Sequence, residues 1–147
     1  MKSAVLANRY VALGARWVLG LVFIAFSLGK IIDPATFADS IAAYRILPVA
    51  AVNVFALVMA WTEFLVGISL LNGVAYRSGA LLAAALNFVF IVAVASAMAR
   101  GLSIECGCFT VAKETVGWSL LIRDTVFLAL AMVVLLNRDP AESAPAN

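Results

Sequence analysis

The sequence predicts an all-α integral membrane protein, a four-helix bundle of up-down-up-down order with a short interfacial helix between the first two spans. Hydrophobic residues make up 65% of the 147-residue chain and charged residues only 12%, too few polar residues for the surface of a soluble domain. Four apolar runs, each close to the 20 or so residues that cross a bilayer, are separated by polar breaks. We therefore expect a single membrane domain over residues 1–147, in contact with lipid.

The first apolar run covers residues 11–32 and follows a short head that contains Lys2 and Arg9. A basic start before an apolar run is also typical of a secretory signal peptide. This run is long for the apolar part of a signal peptide, however, and no Ala-x-Ala-like cleavage site follows Leu28. We therefore expect the segment to be retained as the first span.

A short helix is predicted after the first span, because Asp33 is a good N-cap residue and Pro34 suits the first helical position. Pro48 ends the segment. The pattern indicates either an amphipathic helix at the membrane interface or an ordinary capped helix in a loop. It rests on three apolar residues at helical spacing: Phe37, Ile41 and Tyr44.

The other three spans are predicted over residues 49–71, 80–99 and 117–136, and a polar tail follows at 137–147. Asn72-Gly73 indicates a tight turn between the second and third spans. This order places both termini and that turn on one side of the membrane, and the other two connections on the opposite side. Lys and Arg divide between the two sides five against five, so the positive-inside rule gives no orientation.

Two charged residues inside the predicted spans indicate a buried polar pair. With a rise of about 1.5 Å per residue, Arg16 lies roughly 8 Å and Glu63 roughly 12 Å from the terminal side. Because a lone charge in a membrane is costly, we expect Arg16 and Glu63 to pair. Such a pair is interpreted first as a salt bridge that positions the helices, and second as a group that handles protons or substrate.

A second polar layer is predicted at the opposite end of the bundle, where Lys30 closes the first span and Arg123 and Asp124 follow the start of the fourth. Tyr44 and Trp118 belong to the same level and are candidates for contact with a quinone or a partner. Each has a simpler interpretation. Aromatic residues are common at any membrane interface, and the long cationic side chains can extend to the headgroups.

The connection between the third and fourth spans contains the chain's two cysteines, in the motif Cys106-Gly107-Cys108-Phe109. Gly107 gives the backbone freedom to bring both sulfur atoms together. A disulfide that encloses one residue removes little entropy from the unfolded chain, and its geometry favours reduction, so the pair suits thiol–disulfide exchange. Nearby cations lower the pKa of a thiol, and Lys30 and Arg123 are the candidates. Cysteines buried as small apolar residues are the alternative.

Several functions are excluded or weakened by composition. Histidine is absent, which removes the commonest metal ligand and the commonest general base at neutral pH. The net charge is only +2 and the basic residues are scattered, so we expect no nucleic-acid partner. No resident metal site is predicted.

The sequence resembles the MauE branch of the DoxX-like membrane proteins over about residues 16–124. The resemblance rests on the Cys106-Gly107-Cys108-Phe109 motif and on a set of residues in the same order and spacing: Arg16, Gly20, Phe23, Gly29, Lys30, Asp33, Pro34, Phe37, Tyr44, Pro48, Glu63 and Gly67. It implies a four-helix bundle in the bacterial inner membrane that works with a thioredoxin-like partner on disulfides of exported proteins. Other DoxX-like members are associated with quinone-linked sulfur oxidation and with oxidative-stress complexes.

We therefore expect a membrane thiol–disulfide redox protein in which Cys106 and Cys108 react with a periplasmic thioredoxin-like protein. The termini would be cytoplasmic and the cysteine loop periplasmic, where disulfides persist. A membrane quinone or a second protein would be the other redox partner. Two alternatives remain at this point. The chain is either a small transporter or binding protein for a soft metal ion such as Cu(I) or a small solute, or a structural subunit.

Overall fold

The computed structural model describes residues 9–104 and 115–137, and within these ranges the fold is all-α, with no strands. Four helices are long and apolar enough to cross a membrane. The predicted fold class is confirmed. In chain order the helices are α1 (Arg9–Ile32), α2 (Pro34–Ala43), α3 (Val49–Asn72), α4 (Tyr76–Ala99) and α5 (Trp118–Leu136).

The long helices form two antiparallel pairs, α1 with α3 and α4 with α5, and α3 also packs against α4. Helices α1 and α3 approach each other closely at Gly20 and Gly67. A Cβ atom at Gly67 would lie 3.0 Å from the Gly20 carbonyl oxygen and 2.6 Å from the Ile24 side chain. Glycine at this crossing lets the two backbones touch, as small residues do between membrane helices.

The turn between α3 and α4 is three residues long, so α4 begins four residues earlier than the sequence predicts. Gly73 adopts a left-handed conformation (φ +75°) and its N–H donates to the Ser69 carbonyl oxygen at 3.1 Å. The Ser69 hydroxyl donates to the carbonyl oxygen of Val74 at 2.7 Å. Ala75 is also left-handed, so the reversal is complete by Tyr76.

The predicted short helix is present as α2. The Asp33 carboxylate accepts hydrogen bonds from the N–H of Thr36 at 3.1 Å and from its hydroxyl at 2.7 Å, and these bonds hold the pKa of Asp33 below its usual range. Phe37 and Ala38 on the inner face are buried against α3. The helix therefore folds back over the end of the bundle.

The outer surface of the bundle is apolar on all four long helices. Leu21, Leu65, Leu81 and Ile122 are each more than half exposed, one from each helix. Such surface is stable only in lipid, because water would drive its burial. The chain is a multi-span membrane protein whose partner on this surface is the bilayer.

Candidate functional site

A buried ion pair joins α1 to α3. The Lys30 ammonium donates to both carboxylate oxygens of Glu63, at 2.7 Å to Oε1 and 2.6 Å to Oε2. The side chains are 1% and 4% exposed, so the pair is removed from both water and lipid. A buried pair with short, bidentate contact is the form in which opposite charges are tolerated inside a bundle.

The helix register explains why Glu63 contacts Lys30. Gly20 lies opposite Gly67 in the antiparallel pair, which places Glu63 opposite Ile24 and about 1.7 turns from Lys30. Side chains on a helix lean toward its N-terminus. In antiparallel neighbours the Lys30 and Glu63 side chains therefore lean toward each other and close the gap.

The predicted Arg16–Glu63 pair is wrong. Arg16 lies beside the α3–α4 turn, where its guanidinium carbon is 5.2 Å from the centre of the Tyr76 ring and its nitrogen atoms are near Gly73. The prediction measured the depth of each residue from the end of its own predicted span and did not include the register between the two helices. In the structure α1 begins at Arg9, which places Arg16 opposite the last turn of α3, about two turns from Glu63.

Aromatic rings complete the enclosure of Lys30. Its ammonium nitrogen lies 4.7 Å from the centre of the Phe37 ring on α2 and 5.2 Å from that of Phe90 on α4. Contact with aromatic faces stabilises a desolvated cation. Lys30 thus points into the bundle, and the interpretation that it extends to the headgroups is wrong.

A second polar pair lies beside the first. The Arg123 guanidinium donates to Oδ1 of Asp124 at 3.1 and 3.2 Å and lies 5.4 Å from the centre of the Phe26 ring. Asp124 is buried, and Asn87 on α4 is buried at the same level. A small cavity of about 20 Å³ touches Lys30, Glu63, Asn87, Arg123 and Asp124. Four long helices thus contribute to one polar centre, defined by these five residues.

The cysteine motif at residues 106–109 lies outside the described residues, but the two ends of its connection are described. The N–H of Val116 donates to the carbonyl oxygen of Ile104 at 2.8 Å, which joins the ends of the connection. Ile104 and Val116 pack on a buried cluster that contains Tyr44, Val94, Ala97 and Leu120. The cysteine loop is therefore anchored at the end of the bundle that contains the polar centre.

Tyr44 joins the end of α2 to the end of α4. Its carbonyl oxygen accepts a hydrogen bond of 2.6 Å from the guanidinium of Arg100, at the end of α4. Burial, with a smaller contribution from the Asp124 carboxylate, raises the pKa of Tyr44 to about 12. Trp118, which the sequence places at the same level, is 73% exposed at the start of α5 and is not among the residues that line the apolar cavity beside Tyr44.

The comparisons with known proteins agree with this architecture. A family model described as "Methylamine utilisation protein MauE" matches residues 8–137, which include the polar centre and the cysteine motif. The chain belongs to the MauE family. A protein named "Methylamine utilization protein MauE" from Paracoccus denitrificans is 36% identical over 121 residues, 81% of this chain. The match spans 65% of that relative's length. No solved structure matches the chain.

The sequence did not predict two features of this MauE-family chain. One is the hydrogen bond from Arg100, for which the only signal is a basic residue at the end of a span. The other is an apolar cavity of about 270 Å³ between α2, α3 and α4, which Tyr44 helps to line. No sequence motif indicates it, because its walls are ordinary apolar residues that α2 brings against the two spans.

Proposed function

We propose that this MauE-family protein exchanges a Cys106–Cys108 dithiol or disulfide with a periplasmic thioredoxin-like protein, in forming or maturing the disulfides of exported proteins. The observation that supports this most is that the chain's two cysteines lie one residue apart in a connection whose ends are joined by the Ile104–Val116 hydrogen bond. A reactive pair needs access to a partner in water and a firm attachment to the bundle. The joined ends of this connection supply the attachment.

The exchange follows ordinary disulfide chemistry. A thiolate of the partner attacks one sulfur of the Cys106–Cys108 disulfide, and a mixed disulfide forms while the other cysteine leaves as a thiolate. A second thiolate of the partner then displaces the bound cysteine. The partner becomes oxidised by two electrons, and Cys106 and Cys108 become the reduced dithiol. The reverse sequence reduces the partner.

The polar centre supports this function by position. The Lys30–Glu63 pair joins α1 to α3, and the Arg123–Asp124 pair lies within α5, which follows the cysteine connection. Lys30 donates to Glu63 and Arg123 to Asp124. In this proposal Lys30 holds the helices in place, whereas the sequence assigned it to thiol activation.

The cellular setting is part of the same proposal. The names of the family and of the relative from Paracoccus denitrificans support a place in methylamine utilisation. The wider placement among DoxX-like membrane proteins stays a prediction. A bacterial inner membrane with the loop in the periplasm suits a stable disulfide.

Cysteine trapping tests the proposal. The Cys106→Ser and Cys108→Ser variants and the control below each have their single thiol converted to a mixed disulfide with thionitrobenzoate, which leaves when a partner thiolate attacks. They are incubated with a reduced thioredoxin-like protein from the same bacterium that lacks its own resolving cysteine. One of the two single variants should form a covalent adduct that dithiothreitol releases. A matched control adds Ser103→Cys to the double serine variant, which keeps one thiol close to the loop but outside the motif. The proposal fails if neither single variant forms more adduct than this control.

A further inference from the structure

An apolar cavity lies between α2, α3 and α4, one aromatic layer from the polar centre. Its volume is about 270 Å³, just below the range of about 300–1,000 Å³ that is typical of ligand pockets. Phe37 and Phe90 form part of its wall and also contact Lys30. Tyr44 lines it and belongs to the cluster beneath the cysteine loop. The cavity therefore adjoins both the polar centre and the cluster on which Ile104 and Val116 pack.

The cavity opens toward lipid. Phe55 on α3 and Val89 on α4 line it and are 39% and 51% exposed, on the apolar outer surface of two membrane spans. A molecule that enters between these side chains comes from the acyl-chain region of the bilayer. The occupant must therefore be soluble in the membrane.

The walls favour a flat ring. Four aromatic side chains line the cavity, and aromatic faces pack best on other planar rings. The hydroxyl of Tyr44 is buried and has no hydrogen-bond partner among the residues that the structure describes. Tyr44 therefore presents its ring, and not its enclosed hydroxyl, to the cavity.

We propose that this cavity binds the ring of a membrane quinone, the two-electron acceptor for the Cys106–Cys108 dithiol. The inference rests on the proposed thiol–disulfide function. The chain contains one pair of cysteines, so electrons received from a partner must leave to a molecule outside the chain. The two thiols lose two electrons and two protons as the S–S bond forms, and the quinone takes up two electrons and two protons to become a quinol.

A pair of variants on α4 tests the site. Val89 and Val92 are both 51% exposed on the same helix, but only Val89 lines the cavity. In the purified full-length protein, Val89→Trp should block the mouth and weaken binding of decyl-ubiquinone at least about tenfold, whereas Val92→Trp should change its Kd less than about twofold.

Labelling of the unmodified protein with an azido-quinone provides a measurement that does not depend on a variant's folding. The label should attach to α2, α3 or α4, and excess decyl-ubiquinone should prevent it. Equal binding by the Val89→Trp and Val92→Trp proteins overturns the proposal, as does labelling near Trp118. Binding of spin-labelled stearic acid in the cavity without any binding of decyl-ubiquinone also overturns it, because the occupant is then an acyl chain.

The trapping experiment separates this inference from the proposed function. If the Val89→Trp protein still forms the covalent adduct while its quinone affinity falls, both proposals are supported. If adducts form but decyl-ubiquinone does not bind, the exchange function stands and the cavity assignment fails. If decyl-ubiquinone binds in the cavity but neither cysteine traps a partner, the exchange function fails and so does the quinone's role as its acceptor.

Discussion

At the scale of single residues, the Lys30–Glu63 pair stabilises the fold only while both charges are present. Each charge is tolerated because the other is present at 2.6 Å in a buried site. Glu63→Gln leaves the ammonium without its counterion, and we expect the free energy of unfolding in mixed micelles to fall by about 3–5 kcal/mol. The control is Asp39→Asn, which removes an exposed acidic group from α2 and should change stability by less than about 0.5 kcal/mol.

The double variant Lys30→Met/Glu63→Met distinguishes a structural from a functional role for the pair. Apolar side chains of similar length remove both buried charges together, so stability should recover to at least near that of the unmodified protein. Retained trapping in this stable variant would agree with a positioning role. A double variant that is no more stable than Glu63→Gln would show that the unpaired charge is not the cause of the lost stability.

Tyr44 gives a prediction about pH. Its pKa of about 12 in the folded protein lies above the value of 10.0 for an exposed tyrosine, so the folded state binds the phenol proton more tightly than the unfolded state. The stability that follows is fully present below pH 10 and is lost as the pH rises toward 12. Absorbance titration at the tyrosinate wavelength should show a late transition that Tyr44→Phe removes. A variant with an unchanged titration curve would contradict the assignment.

The residue scale also shows where sequence reasoning stops. Composition and the cost of buried charge predict that Glu63 needs a basic partner, and it has one. They do not identify the partner, because Arg16 and Lys30 lie on the same helix and the choice depends on a register set by Gly20 and Gly67. Lys30 at the end of a span is typical of a headgroup contact, and its contacts with Glu63, Phe37 and Phe90 show that it lies in the interior instead.

At the scale of helices, the α1–α3 crossing is the most sensitive contact. Gly67→Ala would place a Cβ atom 3.0 Å from both the Gly20 carbonyl oxygen and the Ile24 backbone nitrogen, where only a backbone shift relieves the clash. We expect a loss of about 1–3 kcal/mol in the free energy of unfolding. Gly14→Ala is the matched control on α1, since a Cβ atom there meets nothing within 4 Å. Equal stability of the two variants would show that the crossing tolerates separation.

Helix positions follow from the sequence more closely than helix contacts do. The length of each apolar run matches the thickness of the bilayer, and this match alone predicts the spans at α1, α3, α4 and α5. The start of α4 differs because Gly73 and Ala75 reverse the chain within three residues, and a left-handed alanine has no sequence signal. The cavity depends on how α2 lies on α3 and α4, which periodicity in α2 does not specify.

At the scale of the whole molecule, the antiparallel order of the four long helices separates the ends of the bundle. Arg16 and Gly73 lie together at one end, and the base of the cysteine loop lies with Tyr44 at the other. Charge does not orient this arrangement, because basic residues divide evenly between the two sides. The orientation instead follows from the proposed chemistry, since a functional disulfide needs the oxidising side of the membrane.

Labelling with a maleimide that does not cross membranes tests this orientation. In cells with a permeable outer membrane and an intact inner membrane, reduced Cys106 and Cys108 should react if the loop faces the periplasm, as the proposed function requires. Arg77→Cys in the double serine background, at the opposite end of the bundle, should react only after the inner membrane is opened. The reverse pattern would place the cysteine loop in the cytoplasm, where thiols are kept reduced, and would exclude a periplasmic partner. Reaction at both positions before opening would show that the inner membrane was not intact, so an internal cytoplasmic protein must remain unlabelled in the same cells.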